Sequence, residues 1–126
     1  MSKTVLTIDD SRTMREMLNH ALVEAGYRVI QAVDGVDGLE VLQANAGTVD
    51  VVITDINMPR LDGFGVIEGV RANPEHRATP ILVLTTESDA AKKERARSAG
   101  ATGWIVKPFE DTAIVSVVRR VTGARG

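Results

Sequence analysis

Residues able to do chemistry fall at recurring places in this 126-residue chain, just past short apolar runs. Asp9 and Asp10 follow Val5 to Ile8. Thr54 and Asp55 follow Val51 to Ile53, Thr85 and Thr86 follow Ile81 to Leu84, and Lys107 follows Trp104 to Val106. If these positions meet, three carboxylates share one small space. Two like charges about 4 Å apart cost roughly 4 kcal/mol at an effective dielectric near 20. Three acids therefore raise one another's pKa or recruit a cation. An oxygen-only donor set left partly wet suits Mg²⁺ better than Ca²⁺ or zinc, and Mg²⁺ of this kind works with phosphate. A carboxylate attacks phosphorus to give an acyl phosphate. Lys107 would then hold one phosphoryl oxygen and Thr85 donate to another, offsetting the charge that develops in transfer.

Meeting requires a fold that brings strand ends to one edge. Runs rich in Val and Ile recur at Val5 to Ile8, Val29-Ile30, Val51 to Ile53, Ile81 to Leu84 and Trp104 to Val106. Between them lie segments of helical period. Met14, Leu18, Ala21, Leu22 and Ala25 form one face of a first helix, closed by Gly26. A second starts near Asp34 with Val36, Leu39 and Leu42 inward. A third follows Asp62, a good N-cap, and carries Phe64, Ile67 and Val70 until Asn73-Pro74 stops it. The fourth, about Ser88 to Ala99, has only alanines to bury and is expected to be weakly held. The fifth, after Phe109, carries Ile114, Val117, Val118 and Val121. Strict strand–helix alternation predicts an α/β fold with a parallel sheet covered on both faces. Right-handed crossovers then place all strand ends at one edge, where open parallel sheets bind ligands.

Composition narrows the function classes. The chain is 44% apolar and 25% charged with 4 Pro, so disorder and fibre compositions are excluded. Lys+Arg number 15 against 17 acids, a net charge of −2, which argues against a dedicated nucleic-acid binder. With no Cys there is no disulfide or thiolate chemistry, which fits a cytoplasmic protein. No apolar stretch is long enough for a leader or a membrane span. Residues 1–126 are expected to form a single domain with no output domain, and a monomer. His20 and His76 are read as solvated. Each polar piece alone has an ordinary reading, since an Asp after a strand is commonly a turn or helix cap. Their shared edge is what carries weight.

In these residues the chain resembles the receiver domains of bacterial two-component response regulators, from Val5 to Val121. The matching pieces are Ile8-Asp9-Asp10, Thr54-Asp55-Ile56-Asn57-Met58-Pro59 with Asp62-Gly63, Leu84-Thr85, and Lys107-Pro108-Phe109. Within that family it is most similar to single-domain chemotaxis regulators, through Ser11-Arg12-Thr13-Met14-Arg15 and Ala99-Gly100-Ala101. The resemblance implies a flavodoxin-like, doubly wound (βα)5 fold with strand order 2-1-3-4-5. It implies Asp55 as phosphoacceptor. Asp10, Asp55 and the Asn57 backbone carbonyl would hold Mg²⁺, with Asp9 acting through water. Lys107 would pair with the phosphoryl group, Thr85 would swing toward it, and Lys107-Pro108 would be cis. Trp104 occupies the switch-aromatic position, while Asn57 and Glu87 border the path of the hydrolytic water.

The implied function is a switch that takes a phosphoryl group from a histidine kinase phosphohistidine and later dephosphorylates itself. Its output would be protein binding, with the flagellar motor switch protein as the expected target, through the face of the fourth helix, fifth strand and fifth helix. A phosphate sink or a phosphorelay intermediate is the alternative within the family. Surface residues of the first helix, such as Arg12 and Arg15, would set the choice of kinase. A haloacid-dehalogenase phosphatase would need a second Asp two residues past the nucleophile, where Asn57 stands. A flavin carrier would need a hydroxyl- and glycine-rich phosphate loop where Asp9-Asp10 stands.

Overall fold

The computed structural model describes residues 3–123. Strands β1 (Thr4–Ile8), β2 (Arg28–Ala32), β3 (Val51–Thr54), β4 (Ile81–Thr85) and β5 (Gly103–Val106) alternate with helices α1 (Arg12–Glu24), α2 (Gly35–Ala44), α3 (Gly63–Ala72), α4 (Ala90–Ala99) and α5 (Asp111–Val121). A single 3₁₀ turn, Pro74–His76, follows α3. The strands are parallel, in the order β2-β1-β3-β4-β5, as the resemblance implied.

Alternate strand residues feed two cores. Leu6, Ile8, Val52 and Val83 pack with Leu42, Ile67, Val70 and Ala96 under α2, α3 and α4. Val5, Ile53, Leu82 and Leu84 pack with Leu18, Leu22, Ile114 and Val118 under α1 and α5. Burying each such Leu or Ile is worth about 1.5–3 kcal/mol, so these faces fix the register.

Helix boundaries follow local chemistry. Ser11, Asp34, Asp62 and Asp89 each accept a first-turn amide as N-cap. Asp89, not Ser88, starts α4, because its carboxylate reaches the amides of Ala91 and Lys92. Gly26 takes φ +95° past α1, where Tyr27 N–H bonds the Leu22 carbonyl and Gly26 N–H that of Val23. That pairing satisfies two orphan carbonyls and needs a left-handed residue. Ala96 is the buried residue of α4. Arg95 supplements it by lying 3.9 Å over the Phe64 ring of α3.

Candidate functional site

The carboxyl ends of β1, β3 and β5 converge as their register requires. Asp9 follows β1 and is 2% exposed. All its polar atoms are engaged. Its N–H donates to the Ala32 carbonyl at 3.2 Å. Its Oδ1 accepts from the Ser11 amide at 2.9 Å, its Oδ2 from Lys107 Nζ at 3.1 Å, and its carbonyl from the Arg15 guanidinium at 2.6 Å. Burial pushes the Asp9 carboxyl above the ordinary aspartate range, while the Ser11 amide and the Lys107 charge pull it back.

Asp55 follows β3. Its Oδ1 accepts the Ile56 amide at 2.6 Å and its Oδ2 faces Lys107 Nζ at 3.3 Å. The Thr54 hydroxyl donates to the Asp55 carbonyl. The Lys107 side chain is 12% exposed and bridges the two carboxylates. Asp10 is exposed beside them. Asp9, Asp10 and Asp55 each offer a carboxylate oxygen, and these lie within 4.8 Å of one another.

One ammonium does not neutralise three carboxylates. The donor set is hard oxygen, partly wet, and fits a small divalent cation. Both Asp9 oxygens and both Asp55 oxygens already have partners, so the freer carboxylate is that of the exposed Asp10. Asn57 lies exposed in the β3–α3 loop, two residues past Asp55.

The remaining expected positions lie along β4, β5 and their connections. Thr85 is fully buried, and its hydroxyl accepts the Glu87 amide at 3.2 Å. Thr86 points to solvent. Trp104 packs partly buried against the α3–α4 core, and its indole N–H donates to the Glu87 carbonyl at 3.1 Å. The Glu87 carboxylate is paired with Lys92 of α4 at 3.1 Å. The Lys107–Pro108 peptide is cis.

One sequence expectation is corrected. His76 is not solvated but 1% exposed, with Nε2 accepting the Gly47 amide at 3.0 Å and Nδ1 3.0 Å from the Thr79 hydroxyl. The polar residues around it hid this, since a loop histidine gives no periodic signal. Arg15 is half-buried, and its guanidinium donates to the Asp9 carbonyl six residues back across the β1–α1 corner. Arg12 is exposed and pairs with Glu16. Sequence reasoning also missed the Arg60–Asp34 and Lys92–Glu87 pairs. The first spans 26 residues and has no local pattern.

Comparison with known proteins agrees with this geometry. Residues 5–119 match the response regulator receiver domain family. The chain is 39% identical over 120 residues to the chemotaxis protein CheY1 of Helicobacter pylori, covering 94% of this chain and 96% of that one. It is 36% identical over 120 residues to a CheY homologue of Campylobacter jejuni, covering 94% and 92%. Among solved structures, the chemotaxis response regulator CheY4 of Vibrio cholerae superposes with a TM-score of 0.90 at 41% identity, covering 96% of this chain and 99% of that one. The chain belongs to the response regulator receiver domain family, and its relatives include the CheY chemotaxis proteins.

Proposed function

We propose that this receiver is a phosphorylation-driven switch with Asp55 as the phosphoacceptor. The observation that carries the reading is the meeting of Asp9, Asp10, Asp55 and Lys107 at one sheet edge. An Asp55 carboxylate oxygen attacks phosphorus of a kinase phosphohistidine. The P–N bond breaks, the imidazole leaves with the electron pair, and an aspartyl phosphate forms. Asp10, Asp55 and the Asn57 carbonyl would hold Mg²⁺, with Asp9 acting through water. Bound there, Mg²⁺ would offset the charge of the carboxylates and of the phosphoryl oxygens.

Lys107 moves from pairing two carboxylates to pairing the phosphoryl group. The Thr85 hydroxyl turns from the Glu87 amide toward a phosphoryl oxygen and draws the β4–α4 loop with it. That loop is bonded to the Trp104 indole through the Glu87 carbonyl, so the face of α4, β5 and α5 changes shape. Hydrolysis reverses the state, as water attacks phosphorus and the Asp55 carboxylate leaves. Asn57 and Glu87 flank that approach and set its rate. The receiver family supports a histidine kinase as donor and the relatives' names support a role in chemotaxis, for which the proposed target of the changed face is the flagellar motor switch protein.

The test is intact mass and Trp104 fluorescence after adding acetyl phosphate, with and without Mg²⁺. The expected result is a Mg²⁺-dependent gain of one phosphoryl, lost on standing and followed by the fluorescence. The Asp55→Asn variant should stay folded and gain nothing. A mass gain with silent fluorescence would favour a phosphate sink or relay over a switch. No mass gain in a folded, Mg²⁺-binding protein would sink the phosphoacceptor reading.

A further inference from the structure

The β3–α3 loop, from Asp55 to Asp62, is held at two points. Near β3, the amide of Gly63, the first residue of α3, donates to the Ile56 carbonyl of the loop at 2.8 Å. At its far side, Arg60 takes φ +68°, a left-handed conformation that a long side chain adopts only under constraint. Its guanidinium is bidentate on Asp34, with Nε to Oδ2 at 2.8 Å and Nη2 to Oδ1 at 3.1 Å. The Asp34 side chain is 8% exposed, and the same carboxylate caps α2 through the Asp37 amide at 2.8 Å. The next residue, Gly35, has no room for a Cβ, because Leu61 of the loop presses on it. Asn57, Met58 and Pro59 are strung between these two fixed points.

We propose that the Arg60–Asp34 pair is a clamp that fixes the β3–α3 loop against α2, making Arg60 a positioning residue for the Asn57 carbonyl at the cation site. This rests on the reading of that carbonyl as a ligand. The clamp fixes the loop that carries the carbonyl before any ion arrives, so binding orders little backbone. The Arg60 side chain is 57% exposed, but its bidentate geometry on the Asp34 carboxylate gives the pair a direction that a single-contact ion pair lacks. Its left-handed backbone keeps Arg60 on the α2 side of the loop.

The test compares wild type with Arg60→Asn and Asp34→Asn. Asn tolerates a left-handed backbone, so the first variant removes the pair without adding strain. Asn also caps helices well, so the second keeps the α2 cap and removes the charge. Two quantities are measured: the calorimetric affinity for Mg²⁺, and amide exchange of the metal-free loop at Leu61 and Gly63. Each variant is expected to bind Mg²⁺ roughly tenfold more weakly, the scale of contacts that orient metal ligands. Both should exchange those loop amides faster, and the double variant should add little. Arg60→Lys, a single point charge, should recover part of the affinity.

Wild-type Mg²⁺ affinity in both variants overturns the positioning role, whether or not the loop amides speed up. Unchanged loop exchange in both variants overturns the clamp itself. A wild type that takes no Mg²⁺ fails at the reading of the site, a result distinct from variants that bind as wild type does.

Discussion

At the scale of single residues, Lys107 occupies the place a metal would compete for. It donates to the nearly buried Asp9 at 3.1 Å and to Asp55 at 3.3 Å. Replacing it by Ala removes the built-in cation and leaves the carboxylates to an external one. Lys107→Ala should therefore bind Mg²⁺ about tenfold more tightly, about 1.4 kcal/mol, yet accept phosphoryl from acetyl phosphate more slowly. Calorimetric titration and a timed mass assay read the two effects, and weaker Mg²⁺ binding would contradict the competition. A second residue-scale prediction concerns Trp104. Phe in its place keeps an aromatic ring but loses the N–H bond to the Glu87 carbonyl. Trp104→Phe should cost about 1 kcal/mol in urea unfolding. The acids and Lys107 were legible in the sequence, because each follows an apolar run directly. Arg15, Arg60 and Lys92 were not, because their partners are set by corners and loops and not by a repeat.

Elements differ in what holds them. The apolar stripes of α1, α3 and α5 were readable, with Leu18, Ala21, Leu22, Phe64, Ile67, Val70, Ile114 and Val118 buried and Met14, Ala25, Val117 and Val121 half-buried at their margins. The boundaries were readable too, since Gly26 past the end of α1 and the N-caps Asp34 and Asp62 act through local hydrogen bonds. For α4 the sequence indicated only weakness, and the structure shows what substitutes for a core. Arg71 of α3 donates to the Gly100 carbonyl from Nε at 3.1 Å and from Nη2 at 2.7 Å. Its Nη1 reaches the carbonyls of His76, Arg77 and Thr79. Burial without a carboxylate partner lowers its pKa from the ordinary arginine value. This planar fork, together with the small apolar contact of Ala96 and Ala99, ties the end of α4 to α3. A lysine cannot serve four carbonyls in those directions. Arg71→Lys should cost about 1–3 kcal/mol through unsatisfied buried groups. It should also speed amide exchange in α4 more than in α1, and equal acceleration in both helices would show that Arg71 supports the whole fold instead.

For the molecule as a whole, the two edges of the sheet carry different chemistry. The acids gather at the carboxyl ends of the strands, as alternation and crossover handedness dictate. At the opposite edge His76 staples the loop before β3 to the loop before β4, and nothing in the sequence marked it. Because Nε2 accepts the Gly47 N–H, the proton must sit on Nδ1, directed at the Thr79 hydroxyl. A second proton would set two N–H groups against each other in a buried site. Burial lowers the His76 pKa from its ordinary value, with nearby Glu75 opposing. Below about pH 6.5 the unfolded chain takes up a proton at this residue that the folded chain refuses. Stability from His76 is thus complete above that pH and is lost as pH falls toward the lowered folded value. Asp9 acts in the opposite sense, since its raised pKa makes the folded state the better proton acceptor at acid pH. The contribution of His76 is isolated by difference, in urea unfolding of wild type and His76→Gln run in parallel. Gln supplies an amide acceptor and donor that do not titrate. Between pH 7 and 5.5, wild type should lose up to about 1 kcal/mol more than the variant. Parallel pH profiles for the two proteins would mean that His76 takes up its proton equally in the folded and unfolded states and that the staple has another donor pattern.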